Sequence, residues 1–149
     1  MRQTYDKLVS LASHLQSPLL LLLRLYWGAQ FILAGKGKLT NIEKVFEFFQ
    51  GLHIPLPLAS AYLVGSTELL GGMLLVLGLG SRLAAIPLSI TMIVAYLTAH
   101  IEATRNILSD PENFIDQAPF LFLLVTLILL AFGPGRFSLD AWLEKKIRL

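Results

Sequence analysis

The chain alternates long apolar runs with short polar connections, and four of the runs approach the length of a membrane span. They cover residues 18–35, 58–80, 83–101 and 118–133. About 20 apolar residues in a helix cross the hydrocarbon core of a bilayer. The runs are apolar on every side, whereas the helices of a soluble bundle need a polar outer face. The pattern therefore predicts an all-α, polytopic membrane protein folded as an antiparallel bundle of four transmembrane helices.

The first connection carries a pattern of its own. Within residues 41–50, apolar side chains recur on one helical face, and charged or amide side chains fall on the other. This predicts a short amphipathic helix in the first outer loop, lying at the membrane interface or over the end of the bundle. Thr40 and Glu43 have the spacing of a capping box at its start.

Composition agrees with a membrane protein and narrows the chemistry available to it. Of the 149 residues, 55% are hydrophobic and 15% are charged, whereas soluble domains carry about 25% charged residues. A chain of this length usually forms one domain, so we predict a single membrane domain over residues 1–149. The absence of cysteine excludes disulfides, thiolate ligands and a thiol nucleophile in this chain. The predicted partner is the lipid bilayer, and no nucleic acid is expected.

Basic residues predict the orientation of the chain. With four spans, both termini and the short turn at residues 81–82 lie on one side of the membrane. More Lys and Arg residues lie on that side than on the other. Because cytoplasmic loops carry an excess of Lys and Arg, both termini are expected in the cytoplasm.

Glu68, near the middle of the second apolar run, is the polar residue that most needs an explanation. An unpaired carboxylate near the bilayer midplane costs at least about 2.5–3.5 kcal/mol, so Glu68 needs a partner, a proton or a water-filled cavity. Arg24 is the candidate partner, provided that the first helix begins before Pro18 or that the arginine reaches toward the core. Two interpretations stay open: a Glu68–Arg24 ion pair locks two helices together, or it belongs to a ligand or proton site.

Neighbouring residues are candidates for the lining of such a site. Gly71 and Gly72 follow Glu68 closely and would leave room for a flat ligand. The other candidates for the lining are Tyr26, Gln30, Ser66, Thr67 and His100. The histidines lack the tight spacing of known metal signatures, so no metal site is predicted. No catalytic residue is identified, and whether the chain is an enzyme stays open.

Three motifs occur in order along residues 18–142. The first consists of Arg24, Gly35 and Lys38-Leu39. The second consists of Glu-Leu-Leu-Gly-Gly at residues 68–72, Leu-Gly-Leu at residues 77–79, and Arg82. The third is Gly-Pro-Gly-Arg-Phe-Ser-Leu-Asp at residues 133–140. Together these motifs resemble those of the DoxX family of small bacterial four-helix membrane proteins.

The resemblance implies a redox role in the bacterial cytoplasmic (inner) membrane. Members of the family look like membrane subunits linked to quinol oxidation, or like anchors for soluble redox enzymes. This implies a quinone-linked or accessory membrane subunit of a redox complex, with quinone as the candidate cofactor and a soluble or membrane redox protein as the candidate partner. The alternatives are a non-catalytic scaffold for soluble enzymes and, less favoured for want of an inverted repeat, a small-solute carrier. A homo-oligomer is also left open.

Overall fold

The computed structural model describes the backbone of residues 2–147 and the side chains of residues 14–147. This part of the chain is helical and contains no strand, which confirms the all-α class. The helices are α1 (Arg2–Thr40), α2 (Ile42–Gly51), α3 (Pro57–Leu77), α4 (Ser81–Thr98), α5 (Ile101–Arg105), α6 (Pro111–Ile115), α7 (Pro119–Phe132) and α8 (Leu139–Ile147).

Three of the described helices are long and apolar enough to cross a membrane. They are the His14–Thr40 part of α1, together with α3 and α4. The fourth run forms α7, an apolar helix of 14 residues. At 1.5 Å per residue, α7 is about 21 Å long, whereas the hydrocarbon core is about 30 Å thick. Helix length therefore supports three membrane spans among the described helices.

Helix α1 continues beyond its predicted end at residue 35 and reaches Thr40. The Thr40 hydroxyl donates to a carbonyl oxygen of the same helix at 2.9 Å, so Thr40 belongs to the last turn of α1. The predicted capping box with Glu43 is therefore wrong. Asn41 occupies the N-cap of α2 and makes no side-chain capping hydrogen bond. The continued helix places Lys38 on α1 instead of in a loop.

Glycines bring α1 and α3 into an antiparallel contact, which we call the glycine seam: Gly28 lies against Gly72, and Gly35 lies against Gly65. A Cβ atom added at Gly35 would lie 2.6 Å from the Gly65 carbonyl oxygen, and one added at Gly72 would lie 2.7 Å from the Gly28 carbonyl oxygen. Small residues let membrane helices approach this closely. Because both pairs have the same spacing along the two helices, the glycine seam sets their register.

Helices α4 and α7 form the second closely packed pair. The buried Ser89 hydroxyl donates to the Thr126 hydroxyl at 2.9 Å, and the Thr126 hydroxyl donates to the Leu123 carbonyl oxygen at 2.9 Å. The hydrophobic core between the two helix pairs includes Phe31, Leu75, Leu88, Val125 and Leu129. The described bundle therefore consists of two helix pairs that share one core.

Helix α2 occupies the position of the short helix predicted over residues 41–50 and packs against α3. Its half-buried residues are Ile42, Val45, Phe46 and Phe49, and its exposed residues include Glu43, Lys44, Glu47 and Gln50. The connection to α3 bends sharply at His53 and Leu56, whose φ angles are 57° and 49°. Whether α2 lies at the outer membrane interface stays a prediction.

Candidate functional site

A cavity of about 600 Å³ lies between the two helix pairs and is bounded by α2. Its walls come from α1, α2, α3, α4 and α7 and are largely apolar. The polar residues on the walls are Lys38, Ser60, Thr67, Glu68, Thr91, Thr98 and His100. Sites for small molecules typically enclose roughly 300–1,000 Å³ and carry a few polar groups on apolar walls. We therefore take this cavity as the candidate site.

Glu68 forms an ion pair with Lys38 on the cavity wall. The Lys38 Nζ atom donates to Glu68 Oε2 at a distance of 2.5 Å. The Glu68 side chain is 3% exposed, whereas the Lys38 side chain is 30% exposed. The carboxylate is thus buried, and its countercharge reaches it from the more open side. A hydrogen-bonded cation offsets part of the cost of placing a carboxylate in apolar surroundings.

The expected Glu68–Arg24 ion pair is wrong, and the antiparallel register gives the reason. Extending the Gly28–Gly72 contact along both helices places Arg24 about 12 Å from the level of Glu68. Side chains on a helix lean toward its N-terminus. In antiparallel helices, Arg24 and Glu68 therefore lean away from each other, whereas Lys38 and Glu68 lean toward each other. Register and side-chain direction together select the lysine.

Arg24 lies at the other end of the bundle and binds the segment that follows α7. Its guanidinium donates to the carbonyl oxygens of Pro134 and Phe137 at 2.8 and 2.7 Å. Asp140, in the first turn of α8, accepts a hydrogen bond from the Gly80 main-chain N–H at 2.9 Å and joins the same end. Arg24 is 1% exposed. Its observed contacts therefore hold the segment after α7 in place rather than shape the cavity.

The structure brings two of the predicted lining residues, Thr67 and His100, to the cavity beside Glu68. Tyr26, Gln30 and Ser66 are not among the cavity-lining residues. Tyr26 is 61% exposed, and its ring makes an edge contact with a neighbouring tryptophan on α1. Among the described residues, no group of three or more His, Asp or Glu side chains is placed to hold a metal ion.

The prediction that Gly71 and Gly72 leave room for a flat ligand is wrong. A Cβ atom added at Gly71 would lie 2.9 Å from the Leu88 side chain of α4. One added at Gly72 would lie 2.7 Å from the backbone of α1. Neighbouring helices fill the space that these two glycines leave. Their role is therefore helix packing.

Lys38 is the charged site residue that the sequence pattern did not single out as a partner of Glu68, because the glycines and lysines around it are typical of a loop; Ser60, Thr91 and Thr98 were not predicted either. A signal was present in the sequence. Residues of α1 recur at alternating spacings of four and three, in the order Arg24, Gly28, Phe31, Gly35 and Lys38. That spacing places them on one helical face, and the first four are buried. If the helix is continued beyond residue 35, the next residue on this buried face is Lys38.

Comparison with known proteins shows a match to one family. The model of the DoxX family matches residues 19–101, which include Arg24, Lys38 and Glu68. A Bacillus subtilis (strain 168) protein named "Putative oxidoreductase CatD" is 34% identical over 127 residues, which are 84% of this chain and 87% of that protein.

Two further relatives carry names without an activity. A Mycobacterium tuberculosis protein named "Uncharacterized membrane protein Rv3486" is 32% identical over 141 residues, covering 87% of this chain and 83% of the relative. A Haemophilus influenzae "Uncharacterized protein" is 26% identical over 130 residues, covering 85% and 83%. No solved structure matches the chain.

Proposed function

Since this chain is a membrane protein that belongs to the DoxX family, we propose that it is a quinone-binding subunit of a membrane redox system. The observation that carries the proposal is the Lys38–Glu68 ion pair on the wall of a largely apolar cavity of about 600 Å³. The name of the Bacillus subtilis relative supports a redox role in general terms.

The ion pair has the hydrogen-bonding capacity that a quinone headgroup requires. Quinone oxygens accept hydrogen bonds, and the hydroxyl groups of the reduced form donate them. The Lys38 ammonium has three donors and uses one for Glu68, so it can also donate to a quinone oxygen. Glu68 has two acceptor oxygens, of which Oε2 receives the lysine bond. Its carboxylate can therefore accept a hydrogen bond from a hydroxyl of the reduced headgroup.

The cavity walls suit a flat apolar ring next to these polar groups. Phe49 from α2, Met92 from α4 and Phe122 from α7 line the cavity. Aromatic side chains favour stacked or edge contacts with another ring. A headgroup between these residues would present its oxygen atoms to Lys38 and Glu68.

A bound quinone supplies two-electron, two-proton chemistry, while this chain binds it and offers a proton acceptor. Glu68 would accept the proton of one hydroxyl group of the reduced form, and Lys38 would hold the carboxylate ionised before that transfer. We assign the exchange of electrons to a redox cofactor in a partner protein.

We test quinone binding on the purified protein in lipid nanodiscs by native mass spectrometry with added decylubiquinone. The wild type should retain the quinone, and Glu68→Gln should lose most of it. Glu144→Gln is the matched control, since Glu144 is an exposed carboxylate on α8. Thermal unfolding shows whether each variant is folded. A wild-type protein that binds no quinone, while the activity of its redox partner is intact, would contradict the proposal.

We also propose that α7 is a fourth span and that both termini lie in the cytoplasm of a bacterial inner membrane. Thr126 is the one polar residue of α7, and the helix packs along the membrane-length α4. The excess of Lys and Arg then supports cytoplasmic termini. Because the chain has no cysteine, Glu47→Cys and Glu144→Cys would each carry a single thiol. An impermeant maleimide added to spheroplasts should label the first and not the second, and the reverse pattern would contradict this orientation.

A non-catalytic scaffold is the competing proposal, and it rests on α8. None of the residues of α8 is buried, so Trp142 and Lys146 are available to a soluble partner. If the protein is only a scaffold, Glu68→Gln would leave capture of the partner unchanged and no quinone would bind. Capture would instead depend on Trp142 and Lys146.

A further inference from the structure

Aromatic side chains form the wall of the cavity where α1 meets α7. Phe122 of α7 makes edge contacts with Trp27 and Phe31 of α1, with ring centroids 4.8 and 4.7 Å apart. Phe122 itself lines the cavity, and Phe31 is fully buried. These ring contacts join α1 and α7 along this wall of the cavity.

Helix α2 and the segment after it cover another side. Phe49, Leu52 and Ile54 line the cavity and are half-buried, whereas Phe48 also lines it and is 55% exposed. These apolar side chains lie between the cavity and the exposed charged face of α2. A ligand that came directly from water on this side would have to displace them.

The remaining side, between α3 and α4, is open. Three residues line the cavity and are also exposed at the protein surface. They are Leu63 of α3, which is 69% exposed, and Ile90 and Val94 of α4, which are 55% and 42% exposed. These residues lie within the candidate membrane spans Pro57–Leu77 and Ser81–Thr98. We call this apolar gap between α3 and α4 the side opening. In a bilayer, its position makes it face lipid chains.

Charge decides what kind of headgroup fits the polar end of the cavity. Lys38 and Glu68 form a pair with no net charge, in which the carboxylate is the more buried partner. The lysine charge is already balanced by this carboxylate, so the pair offers an anionic phosphate no net attraction. An uncharged headgroup with hydrogen-bonding oxygen atoms needs no such net charge.

We infer that the ligand is a long-chain lipid with an uncharged headgroup, which enters from the bilayer through the side opening and leaves its chain there. This inference rests on the proposed quinone function and specifies the class of quinone: one with a long apolar chain. The headgroup reaches Lys38 and Glu68, while the chain passes Leu63 and Ile90 into the lipid. Each apolar carbon of the chain that is held against these side chains adds to affinity.

The experiment compares two benzoquinones that share one headgroup, one with a decyl chain and the other with a methyl group. Their dissociation constants are measured by native mass spectrometry on the wild type and on Leu63→Trp, which narrows the side opening. Leu22→Trp is the matched control, because Leu22 is 64% exposed within another candidate span. We expect Leu63→Trp to weaken the decyl compound about tenfold and the methyl compound less than about twofold. Leu22→Trp should weaken neither.

Each other outcome has a definite meaning. Equal weakening of the decyl compound by Leu63→Trp and Leu22→Trp would overturn the side opening, as would equal weakening of both compounds by Leu63→Trp. Leu63→Ala widens the opening but removes apolar contact with the chain, so it should weaken the decyl compound less than Leu63→Trp does, and a larger loss than in Leu63→Trp also overturns the side opening. A wild type that binds neither compound overturns the proposed function itself. An anionic phospholipid retained by the wild type and lost on Glu68→Gln would overturn the uncharged headgroup.

Discussion

The Nζ atom of Lys38, near the end of α1, lies 2.5 Å from the Oε2 atom of Glu68 in the middle of α3. The residues that flank Lys38 nevertheless have the composition of a loop. The contact exists because α1 continues to Thr40 and because both side chains lean into the same space between antiparallel helices. It provides the buried carboxylate of the second span with its countercharge at the wall of the cavity.

Removing the lysine should therefore lower the free energy of unfolding, because the buried carboxylate loses its countercharge. Lys38→Met leaves Glu68 without its cation, and we expect a loss of about 1–3 kcal/mol in the free energy of unfolding. This is less than for a fully buried pair, because Lys38 is partly exposed. Reversible unfolding in mixed micelles measures the change.

A double variant separates the charge from the packing. Lys38→Met combined with Glu68→Gln removes both charges and should recover part of the stability lost in Lys38→Met alone. Lys36→Met, at an exposed position on the same helix, should change stability by less than about 0.5 kcal/mol. An equal loss in Lys36→Met and Lys38→Met would mean that the ion pair does not contribute.

Arg24 should matter for the segment after α7 and not for the quinone. Arg24→Lys cannot reproduce two donations from one planar group to the carbonyl oxygens of Pro134 and Phe137. We expect about 2–3 kcal/mol of destabilisation and faster proteolysis around residues 133–138, with quinone retained. Limited proteolysis and mass spectrometry measure both.

The control for this prediction is Arg136→Lys, at an exposed arginine of the same segment. It should leave the rate of proteolysis close to that of the wild type. If Arg24→Lys remained folded and resistant to protease but lost quinone, Arg24 would have to be assigned to the ligand site.

Two glycines of α1 offer a direct test of the glycine seam. Gly35→Ala would place its methyl group 2.6 Å from the Gly65 carbonyl oxygen, so α1 and α3 must separate, at a cost of about 1–3 kcal/mol. Gly37→Ala meets nothing within 4 Å and should stabilise the helix by about 0.5–1 kcal/mol. Opposite signs of the two changes in unfolding free energy are expected, and matching signs would contradict this register.

The hydroxyl contact between α4 and α7 should be measurable as a coupling. Ser89→Ala and Thr126→Val each remove one partner of the 2.9 Å hydrogen bond. Interhelical hydrogen bonds of this type contribute about 0.6 kcal/mol on average in membranes, so the double-mutant cycle should show a coupling of about that size. Thr98→Val is the control, because Thr98 bonds within its own helix. A coupling of zero between Ser89 and Thr126 would mean that packing alone holds the two helices.

Much of the fold follows from local pattern. Apolar runs without a polar face predict buried or lipid-facing helices, and the bounds of α3 and α7 lie within about three residues of those predicted. The pattern predicts an end of α1 at residue 35, five residues before the observed end at Thr40, because lysines and glycines are typical of a loop. At this position, the contact of Gly35 with α3 and the bond of Lys38 to Glu68 keep the helix intact.

The sequence by itself determined that the chain is helical and apolar, that it resembles the DoxX family, and that Glu68 needs a partner. Only the tertiary structure decided that this partner is Lys38, that Arg24 binds the segment after α7, and that Gly71 and Gly72 pack against helices. The reason is physical. Helical periodicity states which face of a helix a residue occupies, whereas the depth at which two residues meet depends on contacts such as that of Gly28 with Gly72. These contacts join segments distant in the sequence, and local pattern carries no information about their register.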